Sequence, residues 1–219
     1  MKHHLLSAIF CLGFSLLAVG CFDSDDVGDS YTTFTGEKIA DFLNAHQAEY
    51  SEFIHVLEKA EAWPLMESYG KYTLFVPTNE AMRAYYMKKG DGVNPMNVDT
   101  LNAKDLRKLV FYHIIDGETN AAKAYTTFDF EEGAIPTKNM VGRYIIVHFP
   151  ENAASTAWLI NEEANIIEAN GEMINGVVHV IDHVIEGNND LLPNLIKTNG
   201  QYDIYGEAIA ATGLDAKMM

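Results

Sequence analysis

An apolar run that halts on a proline and restarts as a helix constrains this chain more than any other stretch. In YTLFVPTNEAM, residues 72–82, Leu74, Phe75 and Val76 suit a buried strand. Pro77 removes a backbone donor and biases its neighbour toward extended geometry, so the strand ends there. Thr78 or Asn79 is suited to cap a helix, and Glu80 places negative charge in its first turn. Ala81, Met82, Tyr85 and Tyr86 follow at helical spacing, and KKGDG supplies a basic last turn and then glycine. The segment reads as strand, tight corner, helix.

The flanking patterns differ on the two sides. EKIADFLNAHQAEYSEFIHVLEKA places Ile39, Phe42, Leu43, Tyr50, Phe53, Ile54 and Leu57 on one face of one or two helices. A further helix starts near NAKDL, with Asn102 as its cap and Asp105 as the acidic partner. Its apolar face is Leu106, Leu109, Val110, His113 and Ile114. From residue 117 the period changes to two, in RYIIVHF, AWLI, ANIIEAN and GVVHVIDHVI, broken by turns such as NGEMING. Helices first, strands afterwards and one early strand predict an α+β fold.

A chain of 219 residues with 48% hydrophobic side chains can fill a core. Its 15 basic residues against 31 acidic ones leave a formal charge of −16, which argues against nucleic acid as a partner and against an anionic lipid surface. Residues 1–20 read as a lipoprotein signal peptide. MKHH is basic, LLSAIFCLGFSLLAVG is apolar but short for a membrane span, and AVGC resembles a bacterial lipobox. Ala18 stands where leucine is usual, and a plain secretory signal is the other reading. Cys11 falls in the discarded segment, so Cys21 is left alone, with no intrachain disulfide and a use as the lipid (palmitate-type) attachment point. Residues 21–35 form an acidic tether. Phe22 after the cysteine implies the outer membrane, and SDD resembles a surface-export signal, so the membrane is met through the N-terminal lipid only. A calcium loop is excluded there, because Val27 and Phe34 occupy ligand positions.

The sequence holds no convincing catalytic set. His179 and His183 in HVIDH are four apart, but β-branched flanks favour a strand, which would separate the imidazoles by roughly 13 Å and exclude a shared zinc. Glu162 and Glu163 are adjacent and would point to opposite faces of a strand. A His113–Asp182 pair lacks a nucleophile to orient, and no phosphate-binding glycine loop is present. No cofactor and no metal are expected.

Three segments in order carry a resemblance. YTLFVPTNEAM, FYHII (111–115) and NGVVHVIDHVI (175–185) resemble the signature elements of the fasciclin-like domain family, over residues 36–187. The resemblance implies a β-wedge core, sandwich-like, with N-terminal helices packed around it. It also implies a structural polar network of Thr78, Asn79, His113 and Asp182, and partner contact at Tyr112 and His113. By the same resemblance the chain is a non-catalytic, lipid-anchored adhesion or binding module at the cell surface, recognising a surface protein or polysaccharide. The alternative is an accessory lipoprotein of an outer-membrane nutrient-uptake assembly.

An internal echo closes the chain. EYSEFIHVLEKAEAWPLM (49–66) aligns without gaps to QYDIYGEAIAATGLDAKM (201–218). Residues 188–219 are expected to be a linker and the opening helix of an incomplete second fasciclin-like domain, or else a docked terminal helix.

Overall fold

The computed structural model describes residues 36–118, 123–150, 158–187 and 202–214. The signal peptide, Cys21, the acidic tether and the 188–201 linker lie outside the described residues.

Three helices, α1 (Ile39–Ala45), α2 (Gln47–Lys59) and α3 (Trp63–Glu67), precede strand β1 (Tyr72–Pro77). Helix α4 (Asn79–Lys89) and helix α5 (Ala103–Tyr112) follow, then β2 (Ile114–Asp116), β3 (Gly133–Ala134), β4 (Ile146–His148), β5 (Leu159–Ile160), β6 (Ala164–Met173) and β7 (Gly176–Ile181). A last helix, α6 (Asp203–Thr212), stands where the internal echo falls. The α+β expectation holds: helices lead, and the strands form one sheet in the order β2-β1-β7-β6-β5-β4-β3.

The corner at residues 77–79 is built as its residues dictate. Pro77 ends β1, Thr78 is the N-cap in extended conformation, and its Oγ1 accepts the Ala81 N–H at 3.1 Å. Glu80 lies in the first turn of α4, and Lys88 and Lys89 in the last.

β1 and β7 run side by side in parallel, with Tyr72 opposite Gly176 and Pro77 opposite Ile181, and every residue of both is buried. Both faces of this pair are covered, which is why each strand reads as an unbroken apolar run. The two-residue repeat sends Leu74, Val76, Val178 and Val180 into a core with Ile39, Leu43, Phe53, Leu57, Met82 and Leu106. Phe75 and Ile181 enter a second core with Ile115, Ile145, Val147, Ile160 and Ile185. β6 turns the sheet between the two, through register shifts between Ile166 and Glu168 and between Glu168 and Gly171. The result is a wedge with a helical side and a strand-lined side.

Two sequence expectations are corrected. Helix α5 stops at Tyr112, so His113 and Ile114 do not continue its apolar face. His113 is the C-cap, and Ile114–Asp116 peel away as β2, antiparallel to β1. The β-branched Ile114–Ile115 pair gains a ladder on the open edge of β1 and one isoleucine in each core. The second correction concerns GVVHVIDHVI, which is a strand only to Ile181. Asp182 turns out to accept hydrogen bonds from Asn165, and His183 is off the strand.

Asn175, fully buried in the β6–β7 turn, ties the helical side to the sheet. Its Oδ1 accepts the Ile39 N–H that opens α1, and its Nδ2 donates to the carbonyls of Met66 and Ser68 at the end of α3. Gly176 beside it is required by proximity, since a Cβ there would lie 2.1 Å from the Tyr72 carbonyl oxygen. Asn175→Ala, which strands two buried backbone groups and the half-buried Ser68 carbonyl, is expected to cost about 2–4 kcal/mol. Gly176→Ala is expected to cost about 3 kcal/mol by forcing the β1–β7 pair apart. Urea unfolding midpoints test both, and an unshifted midpoint for either would contradict the assigned role.

Candidate functional site

The element FYHII delivers two aromatic side chains to the inside of the molecule. His113 is wholly buried beside Phe53, their ring centroids 5.6 Å apart. Its Nδ1 donates to the Leu109 carbonyl at 2.9 Å, and its Nε2 accepts the Ile185 N–H at 2.9 Å. One neutral imidazole thus closes the end of α5 and pins the chain leaving β7. Tyr112 is 6% exposed, and its ring lies where a Cβ on Gly187 would meet Cζ at 1.6 Å. Of the two residues expected to meet a partner, His113 has no exposed surface and Tyr112 contributes to the wall of a cleft.

His179 repeats the arrangement in the second core. Its Nε2 donates to the Tyr125 carbonyl at 2.9 Å, its Nδ1 accepts the Asn170 N–H at 3.3 Å, and it stacks on Phe75 at 5.4 Å. His183 is exposed, and among the described residues it bonds to its neighbour Asp182. The two histidines of HVIDH therefore do different work. No group of three or more His, Cys, Asp and Glu side chains among the described residues is arranged to hold a metal ion.

The expected network of Thr78, Asn79, His113 and Asp182 resolves into separate local ties. Thr78 caps α4. Asn79 accepts the Glu52 N–H and donates to the Ala48 carbonyl and Ser51 Oγ, docking α4 on α2. Asp182 accepts from the backbone and side chain of Asn165. None of the four bonds to another, because short polar side chains find nearby backbone groups first. Burial opposes ionisation of Asp182, but hydrogen bonds from Asn165 and His183 outweigh it and hold its carboxyl below the usual range.

A cleft of about 620 Å³ opens beside this element. Tyr112 and Gly187 form one wall, the 139–146 loop and His148 a second, and the β5–β6 turn with Glu162 and Glu163 a third. Asn139 holds the loop: its Oδ1 accepts the Val141 and Arg143 N–H groups, and its Nδ2 donates to the Tyr112 carbonyl. Glu186, at the margin, pairs with Lys88 at 2.7 Å and Lys89 at 2.5 Å. Burial would raise its pKa, but those two ammonium groups bring it below the usual glutamate range. His148 sits between Glu132 at 2.7 Å and Glu162 at 3.5 Å. Arg143 and Tyr144 are exposed, the latter with Lys138 over its ring at 5.2 Å.

The β5–β6 turn is conformationally unusual. Asn161 and Glu162 have φ of 51° and 61°, and the Glu163 N–H returns to the Ile160 carbonyl at 3.0 Å. Asn161 and Glu162 are thus the central pair of a tight turn within a three-residue connection, at positive-φ positions that favour Asn and Gly, and glutamate takes the second. Arg143, Tyr144 and His148 fall in RYIIVHF, where the alternation speaks of a strand and says nothing of a site. Their one signal is a basic-aromatic pair, RY, between turn residues of an acidic chain.

The chain belongs to the fasciclin domain family, whose model matches residues 48–187. It is similar to the transforming growth factor-beta-induced protein ig-h3 of Oryctolagus cuniculus, 29% identical over 154 residues, which cover 69% of this chain and 20% of that protein. It is also similar to protein sll1483 of Synechocystis, 25% identical over 137 residues, covering 62% of this chain and 66% of that one. This chain thus spans about a fifth of the ig-h3 relative. Among solved structures, a domain pair from the insect cell adhesion molecule Fasciclin I aligns with a TM-score of 0.42 at 15% identity, over 77% of this chain and 55% of that one.

Two predictions follow from this geometry. His113 and His179 are each held neutral by burial, the larger influence, against carbonyl acceptors that partly restore basicity; both pKa values fall to about 4 from an ordinary 6.5. The unfolded chain therefore binds more protons between pH 6.5 and 4. Their stabilisation is complete above about pH 6.5 and is lost as pH falls, at up to ~2.7 kcal/mol per pH unit for the pair. Urea titrations from pH 7.5 to 4.5 should show this slope, and His113→Gln should roughly halve it. Glu162→Gly should leave stability unchanged or raise it by up to ~1 kcal/mol, because glycine accepts positive φ without a Cβ clash. A clear drop in its melting midpoint would refute the strain assigned to that turn.

Proposed function

We propose that this chain is a lipid-anchored binding module of a bacterial outer membrane, held at the cell surface through Cys21, that recognises a protein or polysaccharide without turnover. The observation that carries this reading is the fasciclin domain at residues 48–187 behind a leader that ends in AVGC. The binding-module role is taken from membership in the fasciclin domain family. Burial of the histidines supports the non-catalytic part. His113 and His179 commit both ring nitrogens to backbone groups, so neither has a lone pair or proton to offer a substrate. The formal charge of −16 favours an uncharged or basic partner over an anionic one.

Metabolic labelling with an alkyne fatty acid tests the anchor. The full chain should incorporate label and sediment with the outer membrane, and Cys21→Ser should lose both. Protease added to intact cells should degrade the domain, whereas protection until the outer membrane is opened would place it on the inner side. Adherence of expressing cells to purified surface proteins and polysaccharides tests recognition, and equal adherence by a deletion strain would count against it.

A further inference from the structure

We propose that the cleft between Tyr112 and the β5–β6 turn is a binding site for uncharged oligosaccharides. The proposal rests on the binding-module reading and names its ligand class. At about 620 Å³ the cleft falls in the size range of small-ligand sites, roughly 300–1,000 Å³. A protein partner of ordinary footprint would instead need about 800 Å² of matching surface on each side.

The chemistry of the walls selects the ligand. Arg143 lines the cleft, yet its guanidinium takes part in no hydrogen bond or ion pair among the described residues. Its planar set of donors is free for a ligand. Glu162, Glu163 and Glu186 share the same cleft. An anionic ligand would gain Arg143 and meet three carboxylates. A cationic one would meet Arg143, and of the three carboxylates Glu186 is already engaged by Lys88 and Lys89 while Glu162 lies 3.5 Å from His148. A hydroxyl accepts from a guanidinium and donates to a carboxylate, so neighbouring hydroxyls satisfy both walls without net charge.

Two further features agree. Tyr144 is half exposed and offers a ring on which the C–H face of a sugar can rest. Glu162 keeps its side chain in a left-handed conformation where glycine would be easier, and strain of this kind persists where a side chain has work to do. The other large cleft, about 570 Å³ beside Thr78 and Asp182, has no aromatic wall, and its Arg83 is paired with Glu52.

The test uses detergent-solubilised full-length protein and fluorescent hexasaccharides of glucose, mannose, galactose and N-acetylglucosamine, with galacturonate and glucosamine hexamers as charged probes. At least one neutral probe should bind, with both charged hexamers at least about tenfold weaker. Arg143→Ala and Tyr144→Ala should each weaken binding by about tenfold or more with unchanged melting midpoints, and Glu162→Gly should weaken it without loss of stability. Tyr69→Ala, exposed outside the cleft, should bind as the parent does. Absence of neutral-sugar binding overturns the proposal, as does binding that survives both cleft substitutions. If a purified surface protein binds instead and Arg143→Ala abolishes it, the sugar assignment falls and the binding-module reading stands. If neither sugars nor surface proteins bind, both fall.

Discussion

The parallel pairing of β1 with β7 is the constraint on which the rest of the molecule depends. Tyr72–Pro77 and Gly176–Ile181 are about a hundred residues apart in sequence, yet among the described residues they form the one strand pair buried at every position of both strands. Their alternation decides which side chains enter each core, so a slip of one residue would exchange Leu74 and Val76 for Phe75 and turn both faces inside out. Gly176 permits the close approach to Tyr72, and Asn175 carries the same register outward to α1 and α3. Because this pairing closes a long loop before it gains its contacts, it belongs late in folding, after the local helices.

The two buried histidines extend that logic. His179 pairs with Phe75 across the β1–β7 ladder and stacks on it, while His113 gives its carbonyl to the Phe75 N–H and its Nε2 to Ile185. The His179 ring ties β7 to β6 and to the Tyr125 connection, and the His113 ring ties the end of α5 to the segment after β7. An aliphatic residue in either place would fill the volume but leave a buried N–H without an acceptor, a cost of about 1–3 kcal/mol. This explains why residues that look reactive in sequence are structural. A side chain whose donor and acceptor are both bonded to the main chain inside an apolar core has no chemistry left to perform.

How much of this was legible depends on whether the signal was local. The strand, the Pro77 stop, the Thr78 cap and the basic end of α4 are written in adjacent residues, and all appear as the spacing implies. Asn102 likewise caps α5 and bonds Asp105 through its own amide. The end of α5 was hidden, because Ile114 fits a helix face and a strand equally well, and only the free edge of β1 decides between them. RYIIVHF and AWLI were read as longer strands than β4 and β5 prove to be, since alternation persists into loop residues, and the two-residue β3 left no signal at all. Asn175 looked like a turn residue and Asn139 carried no signal; their reach to backbone groups distant in sequence is a tertiary fact. The cleft was least legible of all, since its walls come from four separate stretches.

The wedge also explains why a recognition site can form there. One edge of the sheet carries only two- and three-residue strands, so the backbone there is mostly connection, and connections can vary without disturbing the β1–β7 pair. Rigidity then has to come from side chains bonded to the main chain. Asn139 fixes the Arg143 loop, Asn161 accepts the Ile146 N–H, and Glu132 accepts the Phe149 N–H while holding His148. These ties pre-organise the walls and leave the Arg143 guanidinium uncommitted. Such an arrangement reduces the ordering cost that a weak, uncharged ligand would otherwise have to overcome. On the proposed reading, a glutamate kept in a left-handed turn and an arginine with no side-chain partner among the described residues share one cleft because they serve binding rather than stability.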